Sequence, residues 1–523
     1  MRQHRHFDHV VVGGGAAGSV VAARLSERDG SRVLLLEAGP LDTTPASDLI
    51  PPLGVFQLQR GEFDWCDETV PQQELQGRKV PISAGRVLGG GGAINFLSWC
   101  RGAREDYDGW AERGMKGWGW DDLLPSFRRS EDSELGESEL HAQGGPIAVT
   151  TPRDINPLSL AFVTACVEFG LDLNRDFNSG TLHGAGLTYS NIRNGERSST
   201  RGYLVPAMDR DDLTVQVGAA VQRVLLNRQR VVGVQYLDRS GRRTTVSTES
   251  VVLCAGALRS PQILMLSGIG PAQHLTDLGI EVAVDSQGVG ANLHDHPTVP
   301  VTWPVVRGRT WNDAQTEENI TAYAERRRGP LAVLTEVAAY LRCGQASSAP
   351  DIQVLPAAVD FSGGGERSLT CMVSLLSPAS RGRIRLRSDE PTASPLIDPR
   401  YLTDPSDRRT LVEGIRQVME IATAPAFRVY AGEQPRNISP AADFDAVLDF
   451  VRRTMVSINH PVGTCRAGTD NVSVVDPELR VHGVDGLRVI DASVMPHITR
   501  APTHAAAVVI GERGSELMTA HQA

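Results

Sequence analysis

Three sets of residues could do chemistry by their type and spacing. The first is Gly13-Gly14-Gly15-Ala16-Ala17-Gly18, with Glu37 standing 19 residues beyond Gly18. Read as G-x-G-x-x-G, it is a phosphate-binding turn. Gly13 permits the tight turn, Gly15 lets backbone approach a pyrophosphate, and Gly18 lets helix and strand pack closely. The N–H groups and positive dipole end of the following helix favour phosphate, and an acid at the separation of Glu37 suits a ribose hydroxyl. This fingerprint does not choose between NAD and FAD. The second set is Gly85-Arg86-Val87-Leu88-Gly89-Gly90-Gly91-Gly92-Ala93-Ile94-Asn95. Four consecutive glycines cannot fill a core with side chains, but they let backbone lie against a ligand. The third is histidine, whose imidazole exchanges a proton near neutral pH, as removing a hydroxyl proton requires. Spacing alone assigns a role to none of the thirteen histidines; His460 and His504, for instance, stand 44 residues apart.

The elements that must position these residues are readable from apolar patterning. His9-Val10-Val11-Val12 is a β-branched run of the kind found in buried parallel strands, Ala16 to Arg24 reads as a helix, and Val33 to Leu36 is a second strand ending in Glu37. Val251 to Ala257 reads as a buried strand ending at small residues, Leu487 to Ser493 as a late strand ending in Asp491, and a small-residue helix starts near Thr503. Between 301 and 454 the strands Asp351 to Leu355, Leu369 to Leu376 and Gly382 to Leu386 precede a helix from Pro405 to Ala422. Ser362-Gly363-Gly364-Gly365 reads as a loop.

Composition narrows the class. The chain has 523 residues, 41% apolar and 22% charged, as a globular protein with ample core does. Its net charge of −10 argues against nucleic-acid binding, which needs a basic footprint. Only Lys79 and Lys116 among the basic residues are lysines, a mark of genome composition. The seven cysteines are scattered, odd in number and without a CxxC pair, which fits a reduced, cytoplasmic protein and neither a disulfide framework nor a zinc site. No apolar run is long enough to span a membrane, and a strand so near Met1 leaves no room for a signal peptide.

Taken together, the segments resemble the glucose–methanol–choline (GMC) oxidoreductases, FAD-dependent alcohol oxidases and dehydrogenases. The first glycine motif resembles that family's ADP-binding turn, and Gly85 to Asn95 its first signature. Gly256-Ala257-Leu258-Arg259-Ser260-Pro261-Gln262-Ile263-Leu264 through Gly270-Pro271 resembles its second, and His460-Pro461-Val462-Gly463-Thr464-Cys465-Arg466 its catalytic segment. Asp491-Ala492-Ser493-Val494-Met495-Pro496 and the last helix complete the set in the family's order.

The resemblance implies an α/β chain, α+β overall. A doubly wound, Rossmann-like FAD-binding domain would be assembled from residues 1–160, 193–300 and 455–523. A substrate domain on an antiparallel sheet would come from 161–192 and 301–454. It implies His460 and His504 as catalytic residues, of the His–His type. The implied cofactor-binding residues are Gly13, Gly15, Ala16, Ala17, Gly18, Glu37, Ala38, Arg86, Gly89, Gly90, Gly92, Asn95, Val221, Asp491 and Ala492. The implied reaction takes a proton from a small-molecule alcohol, a primary one by expectation, and passes a hydride to flavin N5, with oxygen or another acceptor reoxidising the flavin. A lyase with redox-silent FAD and a nicotinamide-dependent dehydrogenase are the alternatives.

The chain departs from the family pattern at Gly91-Gly92, where a serine pair is frequent, at Asn459, where an aromatic is frequent, and at Thr503-His504-Ala505, where Asn-Ala-Pro-Thr is frequent. His294-Asp295-His296-Pro297 looks like a metal pair but lacks further ligands, and in the family this pattern is a conformational segment between domains. Trp110, Trp118 and Trp120 read as a packed turn, and Arg326-Arg327-Arg328 as a solvated face. No histidine lies between Gly89 and Leu97, where some members tether FAD, so the flavin is expected to be non-covalent. Acid precipitation of the purified protein should leave all of the yellow colour in the supernatant; colour that stays in the pellet contradicts this.

Overall fold

The computed structural model describes residues 6–41, 61–344, 348–361 and 365–520. Ser362-Gly363-Gly364 of the expected loop lie outside these described residues. The β-branched and leucine-rich runs form a five-stranded, all-parallel sheet in the order Leu213–Val217, Val33–Glu37, His9–Val12, Val251–Leu253, Leu487–Val489. Both faces of a parallel sheet are covered, and Val10, Val11, Leu35, Val252 and Val489 are correspondingly buried. The third expected strand is shorter than its apolar run. It stops at Leu253, and from Gly256 the chain already turns as the helix Gly256–Leu266.

The helix Ala16–Leu25 follows the first strand directly, and the last helix, His504–Ala520, lies along it. They approach at Gly511, where a Cβ would stand 2.9 Å from the Ala17 carbonyl oxygen. The next residue, Glu512, is buried and accepts bonds from Arg24 Nη2 (2.8 Å), Arg129 Nε (2.9 Å) and the Tyr203 hydroxyl (2.6 Å). This carboxylate therefore fixes the helix that begins with His504 against three other segments.

The second layer is a six-stranded antiparallel sheet, ordered Val456–Ser457, Pro297–Pro304, Ser368–Leu375, Ile352–Ala357, Val337–Leu341, Gly184–Leu187. Its back face, with Val299, Val354 and Val373, packs in one cluster with Leu411, Ile415 and Val418 of the helix Pro405–Ile421. Strand Pro297–Pro304 crosses the border expected at 300, and it pairs with Val456–Ser457, which lies just inside the segment expected to start at 455. The three tryptophans pack rather than bind: Trp110, Trp118 and Trp120 are buried, and the indoles of the first two donate to the carbonyls of His497 and Pro477. No helix among the described residues is long and apolar enough to cross a membrane.

Replacing Glu512 by Gln keeps the shape but removes the charge that two arginines share. Arg129 is partly exposed and counts for less, so the expected loss is about 2 kcal/mol, with Tyr203→Phe costing about 1 kcal/mol. Thermal unfolding of the two variants checks this; an unchanged midpoint for Glu512→Gln contradicts it.

Candidate active site

The two glycine stretches meet. The Gly89 N–H donates to the Gly14 carbonyl at 2.7 Å, and a Cβ on Gly90 would stand 2.7 Å from the Gly15 Cα. Beside this junction runs a cavity of about 1220 Å³, larger than the ~300–1,000 Å³ usual for small-molecule sites. Gly13, Gly15, Ala16, Ala17, Glu37, Ala38, Arg86, Gly90, Gly92, Asn95, Val221, Asp491 and Ala492 line it, and so do His460 and His504.

Gly18 and Gly89 do not line the cavity. A Cβ on Gly18 would fall 1.9 Å from the Gly13 carbonyl oxygen, so Gly18 serves the helix–strand contact alone. Gly89, at φ +108°, makes the turn that joins the two stretches.

At one end, Glu37 accepts the N–H of Gly14 (2.8 Å) and of Gly39 (2.7 Å). Burial pushes its carboxyl up, and these bonds oppose the shift. Asp491 also lines the cavity, but its carboxylate is taken by protein. It accepts the Gly256 N–H (2.9 Å), the Ser260 hydroxyl (2.6 Å) and the Ser493 N–H (2.8 Å), which ties two helical turns together. The helix Ala16–Leu25 has no side-chain cap, so its first N–H groups face the cavity wall unclaimed by side chains. A glycine cradle, an uncapped helix start, a buried acid and this volume fit a dinucleotide cofactor.

The other end holds the histidines. His460 is fixed by its backbone: its N–H donates to Asp295 Oδ1 at 2.8 Å. Asp295 also accepts the hydroxyls of Ser457 (2.5 Å) and Tyr401. Asn459, just before His460, sits at φ +62°, a conformation that Asn tolerates better than an aromatic residue does, and its Oδ1 accepts the Ser83 N–H at 2.8 Å.

The His460 ring is fixed by a second histidine. His460 Nδ1 and His296 Nδ1 are 2.9 Å apart, and His296 Nε2 is 3.0 Å from the Leu376 carbonyl oxygen. A carbonyl can only accept, so His296 Nε2 carries a proton. Burial holds His296 down at about 4, hence neutral near pH 7, and a neutral imidazole has one N–H. Its Nδ1 is therefore an acceptor, and His460 Nδ1 must donate to it. Burial, and then the neighbouring His296, keep His460 well below the usual imidazole range. His460 is thus neutral with its lone pair on Nε2, the nitrogen not engaged by His296.

His504 opens the last helix. Burial, and then the charge of Arg197, hold it down at about 4. Its Nε2 is buried without a protein partner, and Trp99 packs edge-on to its ring at 6.0 Å. Arg197 Nη1 donates to the carbonyls of Gly92 (3.0 Å) and Asn95 (2.8 Å) and to Asn95 Oδ1 (2.5 Å), which pins the second glycine stretch.

The sequence does not single out Arg197, and it places Asp295 and His296 in the family's segment between domains rather than at the reacting end. No group of three or more potential metal ligands occurs among the described residues.

The chain matches the GMC oxidoreductase family over residues 7–298 and again over residues 378–511. An uncharacterised GMC-type oxidoreductase of Mycobacterium bovis is 39% identical over 530 residues, covering 98% of this chain and 99% of that one. The alcohol dehydrogenase [acceptor] of Pseudomonas putida is 35% identical over 533 residues, covering 98% and 95%. The oxygen-dependent choline dehydrogenase of Pseudomonas syringae pv. syringae is 36% identical over 553 residues, covering 100% and 95%. Among solved structures, pyridoxine 4-oxidase from Mesorbium loti superposes with a TM-score of 0.89 at 32% identity, covering 99% of each chain. The family and the fold decide between FAD and the nicotinamide alternative that the cavity alone leaves open: the chain belongs to the GMC oxidoreductase family and is an FAD-dependent oxidoreductase acting on CH–OH donors.

Proposed function

We propose that the protein oxidises a primary alcohol, RCH2OH, to the aldehyde RCHO, with His460 Nε2 taking the hydroxyl proton. The observation that carries this reading is the hydrogen-bonded pair His296–His460, which leaves a neutral base with its lone pair on Nε2, in a residue that lines the cavity. Bound FAD supplies the acceptor for the hydride that leaves the carbinol carbon. When His460 gains the proton, its Nδ1–H still donates to His296, and that neutral acceptor steadies the imidazolium. Asp295 keeps the ring in place through the backbone and does not compete for the proton.

His504 orients the substrate oxygen. Thr503, His504 and Ala507 line the cavity at the start of the last helix, whose positive dipole end favours the negative charge that develops as the alcohol is deprotonated. The cofactor would be held without a covalent bond by the Gly13–Ala17 turn, Glu37, Arg86, the Gly90–Asn95 stretch and the backbone at Asp491-Ala492. Oxygen or another acceptor closes the cycle. A reducing, cytoplasmic setting suits the chain, and what supports it is seven cysteines without a disulfide among them.

Replacing His460 by Ala should leave the flavin spectrum intact and slow anaerobic flavin reduction by about 10²–10⁴-fold, the range for a lost general base. Near-normal reduction in that variant sinks the assignment.

The pH profile gives a second check. The base acts when neutral, so kcat/KM rises with pH through its acid limb and then levels. Since burial depresses His460, the limb should lie well below 6.5, the ordinary imidazole value. A limb at or above 6.5 contradicts the geometry described.

A further inference from the structure

The antiparallel sheet makes part of the lining of the cavity that His460 and His504 also line. Leu355 and Met372 stand directly opposite each other on adjacent strands, so they share one face. That face is the cavity: Leu355, Ala357 and Met372 line it, joined by Leu334 and Thr335 from the approach to the next strand. Val354 and Val373, one residue along each strand, point the other way into the core. The wall lies beside the reacting groups. Leu355 packs against a cluster that contains Leu376, whose carbonyl holds His296, and Ala501, which leads into His504. None of the described residues that the antiparallel sheet and its approaches contribute to the lining is charged. The charged lining residues, such as Glu37, Arg86, Asp238 and Arg239, come from the half of the molecule built on the parallel sheet.

We infer that the site takes an uncharged primary alcohol with an apolar body, a straight alkyl chain or an aromatic ring, and discriminates against quaternary ammonium alcohols and polyols; this rests on the alcohol oxidation proposed above. Each methylene buried against Leu334, Leu355 and Met372 adds transfer free energy, and about 0.8 kcal/mol per methylene is close to fourfold in binding. A quaternary ammonium placed on the same wall leaves water without a carboxylate to receive it, and a polyol finds there the Thr335 hydroxyl for several of its own. Leu355 and Met372 are accordingly the specificity-determining pair.

The test is stopped-flow, anaerobic reduction of the holoenzyme's flavin by 1-propanol, 1-butanol, 1-pentanol, 1-hexanol, benzyl alcohol, glycerol and choline. The expected result is a second-order rate that climbs about fourfold per methylene to hexanol, with choline and glycerol at least 100-fold below hexanol. Met372→Gln should flatten the alkanol slope while the flavin spectrum stays unchanged. The wild-type series decides the matter even if that variant does not fold. A flat or falling series, or choline or glycerol matching hexanol, overturns the apolar assignment and leaves alcohol oxidation standing. If no alcohol on the panel bleaches the flavin, alcohol oxidation falls and the substrate assignment falls with it.

Discussion

A single proton lies between Nδ1 of His296 and Nδ1 of His460, and the Leu376 carbonyl decides to which ring it belongs. That constraint organises the reacting end of the molecule. Leu376 follows the strand Ser368–Leu375, His296 precedes the strand Pro297–Pro304, and His460 follows the strand Val456–Ser457. All three belong to one antiparallel sheet, so register in the sheet sets the ring geometry. A slip of one residue would move Leu376 to the other face and free His296 to change tautomer. The role proposed for His460 thereby rests on backbone pairing.

The cofactor end depends on a different constraint, the near-contact of two backbones. Gly15 and Gly90 approach so closely that a side chain on Gly90 would collide, and Gly85 similarly lies with its missing Cβ 2.1 Å from the Gly90 carbonyl oxygen. The junction frames a wall of peptide groups, which suits a pyrophosphate better than any side-chain pocket would. Arg197 and Glu512 then act at a distance from the cavity. One holds the second glycine stretch, and the other holds the helix that begins with His504.

Much of this was legible in the sequence because it is local. The strand–turn–helix–strand unit, the glycine stretch and two of the antiparallel strands, those expected at 351–355 and 369–376, each declare themselves within a dozen residues, whereas the one expected at 382–386 pairs instead with Leu396–Asp398 outside the six-stranded sheet. What was not legible depends on partners far along the chain. His296 and His460 are 164 residues apart, so neither spacing nor motif joins them, and a His-Asp-His run by itself looks like a metal fragment. Asp491 announces a ligand-binding acid at a strand end, yet its carboxylate spans 235 residues to cap the helix at Gly256. Gly18 and Gly89 show the same limit: sequence marks a glycine as necessary but does not say whether a ligand or another backbone needs the space. The strand ending at Leu253 was read too long because the apolar run continues into the buried helix after it.

The central claim is that His460 waits as a neutral base with its proton on Nδ1. It is tested most directly by long-range ¹H–¹⁵N NMR of ¹⁵N-histidine-labelled holoenzyme at pH 7, with the His460 resonances identified by their loss in His460→Gln. The account predicts a protonated, pyrrole-type Nδ1 and an unprotonated, pyridine-type Nε2. An imidazolium, or a proton on Nε2 instead, would contradict it.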